Sequence, residues 1–141
     1  MLTPKQGPIV LVEDDSDDQE LVADALKAAG VSNELRLFRN GKEAKDYLLT
    51  TQERPLIIIC DINMPVKDGF QLREEIQADE FLRRKSIPFV FLSTDASPHA
   101  VERAYDLTVQ GFFKKPSSFT GFQEMLRLVI DYWCACKHVN N

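Results

Sequence analysis

Residues Leu56 to Cys60 form an unbroken apolar run that ends abruptly in the carboxylate of Asp61. A run of this kind suits a strand buried on both faces, as a central strand of a parallel sheet is. Open α/β sheets bind their ligands at the C-terminal edge of the strands, so an acid at that point is a candidate for chemistry. A solvated turn aspartate is the plain alternative, and the other strand ends decide between the two.

The rest of the chain repeats the pattern of strand followed by helix. Ile9 to Val12 is a short apolar strand that runs into Glu13, Asp14 and the further acids Asp15, Asp17 and Asp18. Leu21, Val22, Ala25, Leu26 and Ala29 then fall at helical spacing, with Gly30 as the expected C-terminal stop. Glu34 to Phe38 reads as a strand nearer a sheet edge, and Asn40 as the cap of a helix carrying Ala44, Tyr47 and Leu48. The exit from the Leu56 to Cys60 strand runs from Asn63 to Gly69 and leads to a helix with Phe70, Leu72, Ile76 and Phe81, followed by a polar loop from Arg83 to Ser86. Phe89 to Ser93 is the fourth strand. Ser97 and Pro98 open the fourth helix, Gly111 to Phe113 is a fifth strand ending at Lys114, Lys115 and Pro116, and the last helix starts near Ser118. Five strands alternating with five helices predict a single domain over residues 1–141, with a core from about 8 to 137. Its parallel sheet is covered by helices on both faces and joined by right-handed crossovers.

Composition narrows the function classes. A net charge of −5 disfavours a nucleic-acid surface, which needs a basic face. No apolar run approaches the length of a membrane span, and Met1 to Gly7 lacks the core of a signal peptide, so a cytoplasmic protein is expected. Cys60, Cys134 and Cys136 match no disulfide framework and read as reduced thiols.

A parallel sheet places its C-terminal strand ends together. Glu13 and Asp14 leave strand one, Asp61 leaves strand three, Ser93 leaves strand four and Lys115 leaves strand five. Acids at the start of a helix can be ordinary dipole partners, and Ser93 a cap. Three acids crowded on one edge nevertheless repel unless positive charge sits among them. A divalent cation with oxygen ligands meets that need, and Mg²⁺ suits a site that also handles phosphate. Asp61 is then a carboxylate nucleophile able to form an acyl phosphate, with Lys115 and the cation stabilising the transferring oxygens and Ser93 donating to one of them. The backbone carbonyl of Asn63 lies within reach of the same ion. There is no glycine-rich phosphate loop.

Taken together and in order, these strand-end residues resemble the receiver domains of two-component response regulators. The resemblance runs from Ile9 to about Trp133 and rests on Glu13 and Asp14, on Asp61 to Pro65 with Gly69, on Ser93 and Thr94, and on Lys115 and Pro116. It implies a doubly wound, flavodoxin-like sheet of order 2-1-3-4-5. It also implies that Asp61 accepts a phosphoryl group from a histidine of a sensor histidine kinase or a histidine phosphotransfer protein. By the same resemblance Glu13, Asp14, Asp61 and the Asn63 carbonyl hold Mg²⁺, Ser93 is the switch hydroxyl, and Lys115 meets the phosphoryl group. Phe112 is the aromatic that moves with the hydroxyl, and lacks the hydroxyl of a tyrosine. Asn63, Thr94 and Asp95 occupy positions that tune phosphoryl lifetime. Thr108 and Val109 replace a usual glycine-alanine pair, which leads to the expectation of a reshaped helix end.

With only polar residues after the last helix, a stand-alone receiver is expected, with output through protein contact or a homodimer on the surface from about Ser97 to Cys136. Alternatives are a relay passing the phosphoryl group onward, a haloacid-dehalogenase-like phosphohydrolase, and a degenerate binding module. The hydrolase would need an acid where Asn63 stands, and the degenerate module would lack one of Asp61, Lys115 or the metal acids. Self-phosphorylation and autodephosphorylation are the activities expected, without turnover on an outside substrate.

Overall fold

The computed structural model describes residues 7–138, so the termini included in the single-domain expectation, residues 1–6 and 139–141, lie outside the described residues. Five strands, β1 (Ile9–Val12), β2 (Leu35–Phe38), β3 (Ile57–Cys60), β4 (Phe89–Ser93) and β5 (Gly111–Lys114), pair in parallel in the order β2-β1-β3-β4-β5. The helices are α1 (Ser16–Ala28), α2 (Gly41–Thr50), α3 (Gly69–Ala78), α4 (Glu80–Arg84), α5 (Pro98–Asp106) and α6 (Phe119–Ala135). The described residues thus hold six helices where five were expected. The additional α4 begins inside what reads as the end of the third helix and runs into the predicted polar loop. Asp79 ends α3 and caps α4 by accepting from the Leu82 N–H, and Leu82 is buried beneath the charged turn.

The period-two alternation of a strand divides the core in two. Val10, Val12, Ile58, Cys60, Phe89 and Phe91 face one layer, which α2 to α5 cover, while Ile9, Leu11, Ile57, Ile59, Val90 and Leu92 face the other, covered by α1 and α6. This explains why β1 and β3 are apolar throughout and β4 is apolar up to Ser93: each is covered on both sides. The edge strand β2 is half-exposed, as its alternating sequence requires.

Helix ends follow local chemistry. Asp15, Asn40, Asp68, Ser97 and Ser118 cap α1, α2, α3, α5 and α6 with side-chain oxygens that accept backbone N–H groups. Gly30 follows α1 at φ +81°, the left-handed stop expected there. After α5 the same conformation is carried by Thr108 at φ +59°. The left-handed stop is thus made without a glycine. The buried Arg73 of α3 donates from Nε to the Leu107 carbonyl at 3.0 Å and from Nη2 to the Thr108 carbonyl at 2.8 Å, and Gln77 donates to the Thr108 hydroxyl at 2.7 Å. At the other end of β5, Pro116 packs so tightly on the first turn of α6 that a Cβ on Gly121 would stand 2.9 Å from it.

Candidate active site

Three backbone hydrogen bonds carry the sheet one residue past its strands and place the chemistry. The Glu13 N–H donates to the Phe38 carbonyl, that of Asp61 to Val12, and that of Lys115 to Ser93, at 2.8, 2.9 and 2.9 Å. Each functional side chain is thus set by the ladder of a neighbouring strand. Gly69 approaches just as closely: its N–H donates to the Ile62 carbonyl at 2.8 Å, and a Cβ there would lie 2.2 Å from the Asp61 carbonyl oxygen.

The carboxylates of Glu13, Asp14 and Asp61 come together, with one ligand atom of each lying within 4.8 Å of the others. Glu13 is buried, Asp61 half-buried and Asp14 exposed, so the cluster has a dry floor and an open mouth. A set of hard oxygen donors closed on one side and open on the other fits a divalent cation that keeps part of its water shell. Burial pushes the Glu13 carboxyl up to about 7, against the Lys115 hydrogen bond that pulls it down, and the charge of Asp61 adds to the rise.

Lys115 reaches into this cluster with only 8% of its side chain exposed. Its Nζ donates to Glu13 Oε1 at 2.9 Å, to Asp18 Oδ2 at 2.7 Å and to Asp61 Oδ2 at 3.2 Å. Burial lowers the affinity of the ammonium for its proton, but the hydrogen bonds to Asp18 and Glu13 and the charge of Asp61 outweigh it and hold the pKa above the ordinary lysine value. The other oxygen of Asp61, Oδ1, accepts the N–H of Ile62 at 2.7 Å.

Ser93 is fully buried at the end of β4, and its Oγ accepts the Asp95 N–H at 3.1 Å. The Asp95 carboxylate in turn accepts the Ser97 N–H at 3.2 Å, while Thr94 and Asn63 are exposed in the two loops flanking the cluster. Phe112 packs half-buried against Phe91, with ring centroids 6.0 Å apart. Glu13, Asp61 and Lys115, drawn from distant parts of the sequence, therefore meet in direct contact.

Asp18 is the partner that sequence reasoning missed. The signal was present: Asp18 lies four residues before the buried Val22, on the sheet-facing side of α1, whereas its neighbours Asp15 and Asp17 are exposed.

A parallel sheet of order 2-1-3-4-5 with carboxylates at the ends of its first and third strands and a lysine after its fifth defines a receiver domain. The chain belongs to that family: residues 9–127 match the response regulator receiver domain. It is 32% identical over 130 residues to the response regulator Rcp1 of Synechocystis sp., covering 89% of this chain and 87% of that one. It is 31% identical to the probable methanogenesis regulatory protein FilR2 of Methanothrix harundinacea, over 89% and 82% of the two chains. Among solved structures it is similar to the phosphorylated cyanobacterial phytochrome response regulator RcpA, with a TM-score of 0.85, 31% identity and coverage of 95% and 99%. The Mn²⁺-bound form of Rcp1 gives a TM-score of 0.79 at 30% identity, over 93% and 96% of the two chains. Receiver domains of this family are phosphorylation-dependent elements of two-component signalling, and they interact with sensor histidine kinases or phosphotransfer partners. No helix among the described residues is long and apolar enough to cross a membrane.

Proposed function

We propose that this chain is a Mg²⁺-dependent phosphorylation switch in which Asp61 accepts a phosphoryl group from a histidine of a sensor kinase or phosphotransfer protein. The observation that carries this reading is the buried Lys115 ammonium in direct contact with both Glu13 and Asp61. A structural lysine gains little from burial among acids, whereas one beside a nucleophilic carboxylate stabilises charge on a transferring group.

In the proposed step an oxygen of Asp61 attacks phosphorus. The new O–P bond forms as the P–N bond to the donor imidazole breaks, and the electron pair of that bond stays on the departing nitrogen. The hydrogen bond from Ile62 N–H to Oδ1 orients the carboxylate and leaves Oδ2 on the Lys115 side. Glu13, Asp14 and Asp61, with the Asn63 carbonyl, would hold Mg²⁺, which when bound supplies positive charge against the phosphoryl oxygens. Lys115 supplies the second positive group. Ser93 Oγ, which accepts the Asp95 N–H, would donate its hydroxyl proton to a phosphoryl oxygen, and Phe112, packed on Phe91, would follow it inward. Asn63, Thr94 and Asp95 flank the mouth through which a hydrolytic water must come, and so tune the lifetime of the acyl phosphate.

Output by protein contact, including a homodimer, fits the face formed by α5, β5 and α6. It exposes Tyr105, Leu128 and Tyr132, apolar surface that an isolated helix face has no need to carry. A phosphohydrolase reading is not favoured, since the neutral Asn63 stands where its acid would be.

Incubation with Mg²⁺ and phosphoramidate followed by intact mass measurement tests the reading. One labile phosphoryl group should be gained by the parent and none by Asp61→Asn. Equal labelling of both proteins would refute Asp61 as acceptor.

A further inference from the structure

The Lys115 ammonium has three protons, and three carboxylates take them. Two of these, Glu13 and Asp61, belong to the cluster that fits a cation. The third, Asp18, stands outside it on the first turn of α1, yet makes the shortest of the three contacts at 2.7 Å. We propose that Asp18 is a positioning residue that draws the Lys115 ammonium toward the α1 side of the site and takes up part of its charge, loosening its hold on Glu13 and Asp61 and so setting the balance between cation binding and retention of the phosphoryl group. This inference rests on the phosphoacceptor reading above.

Two consequences run in opposite directions. Without the Asp18 charge, the ammonium pairs only with Glu13 and Asp61 and holds their oxygens more strongly against a cation. The site also loses one negative charge, so cation binding weakens on both counts. The same two changes favour an anionic group on Asp61: less negative charge opposes it, and the ammonium is free to turn toward it. A residue that only supported the fold would weaken both kinds of binding when lost.

The test compares the parent with Asp18→Asn, an isosteric change, in two calorimetric titrations. The first uses Mg²⁺ alone, and the second uses beryllofluoride, a stable mimic of a phosphoryl group on a carboxylate, at saturating Mg²⁺. Mg²⁺ affinity should fall by roughly three- to tenfold and beryllofluoride affinity should rise by a similar factor. Asp18→Glu, which keeps the charge, should move both values back toward the parent. Asp17→Asn removes an equal charge from the next residue, which is exposed and makes no contact with the lysine, and should change both much less. Unchanged affinities in Asp18→Asn, a fall in both, or equal effects from Asp17→Asn would each overturn this positioning role. If the parent itself bound neither ligand, the phosphoacceptor reading would fall along with it.

Discussion

The guanidinium of Arg73, on α3, is bonded to the carbonyls of Leu107 and Thr108 at the far end of α5. Its charge is buried over the ring of Phe89, 5.2 Å from the centroid, and burial lowers its pKa to about 10. Its partners are the carbonyls at the negative end of a helix, so dipole and cation offset each other. The same contact braces a β-branched residue in the left-handed region, a conformation that costs about 1–2 kcal/mol without such support. Arg73→Ala should therefore lower the free energy of unfolding by about 2–3 kcal/mol, since it removes the guanidinium bonds to two carbonyls, each left with one weaker side-chain donor, and opens a void. Arg73→Lys should recover less than half, because one ammonium cannot span both acceptors in the plane of a fork. Urea unfolding of the three proteins measures both.

Gly69 packs closely against the backbone of the proposed phosphoacceptor. A methyl group there meets the Asp61 carbonyl at 2.2 Å and the Phe91 ring at 2.8 Å, and neither can give way cheaply. Gly69→Ala should cost about 2–3 kcal/mol of stability and should also weaken Mg²⁺ binding, because the loop holding Asp61 is pushed off its ladder. Denaturation and a Mg²⁺ titration on the same preparation check the two effects together.

Glu13 makes cation binding sensitive to pH near neutrality. Its carboxyl in the folded protein titrates at about 7, above its ordinary value of 4.5. The metal-free fold therefore holds a proton that the unfolded chain releases between those limits. This contribution to stability is fully present below 4.5 and is lost as pH rises through 7. A cation needs the ionised form, so Mg²⁺ affinity should rise about tenfold from pH 6 to pH 8, with proton release on binding at the lower pH. Calorimetry in buffers of different ionisation enthalpy reads the released proton directly.

Ser93 is wholly buried, with its hydroxyl oxygen taken by the Asp95 N–H. Ser93→Ala should leave the phosphoryl group able to form on Asp61 while removing the structural response to it. The stability cost should stay at about 1 kcal/mol, the value of one neutral hydrogen bond. Amide NMR spectra with and without beryllofluoride should then show shifts around Asp61 that no longer extend to Phe112.

Much of this was legible in the sequence because each feature was local or periodic. Apolar runs covered on both sides marked β1, β3 and β4, and the parallel order then gathered Glu13, Asp14, Asp61, Ser93 and Lys115 on one edge. What escaped depended on pairs remote in sequence or on a short polar helix. The brace on Thr108 comes from Arg73, thirty-five residues away, and no spacing rule links them. The α4 turn is held by its Asp79 cap and one buried leucine, beneath a surface of charges that read as loop. Asp18 was hidden in an acidic run whose members differ only in which way α1 turns them.

Only Pro116 and Ser117 separate Lys115 from Ser118, the residue that caps α6, and Pro116 is wedged against Gly121 on the first turn of that helix. The tether between the ammonium and the root of α6 is therefore short and stiff. If Asp61 takes a phosphoryl group as proposed, a pull on the lysine would be felt at the root of a helix of seventeen residues, whose outer side carries Leu128 and Tyr132. On the proposed reading a small displacement at the fulcrum would be magnified along that arm, and a protein bound at the far end of α6 would bear on the chemistry without touching it.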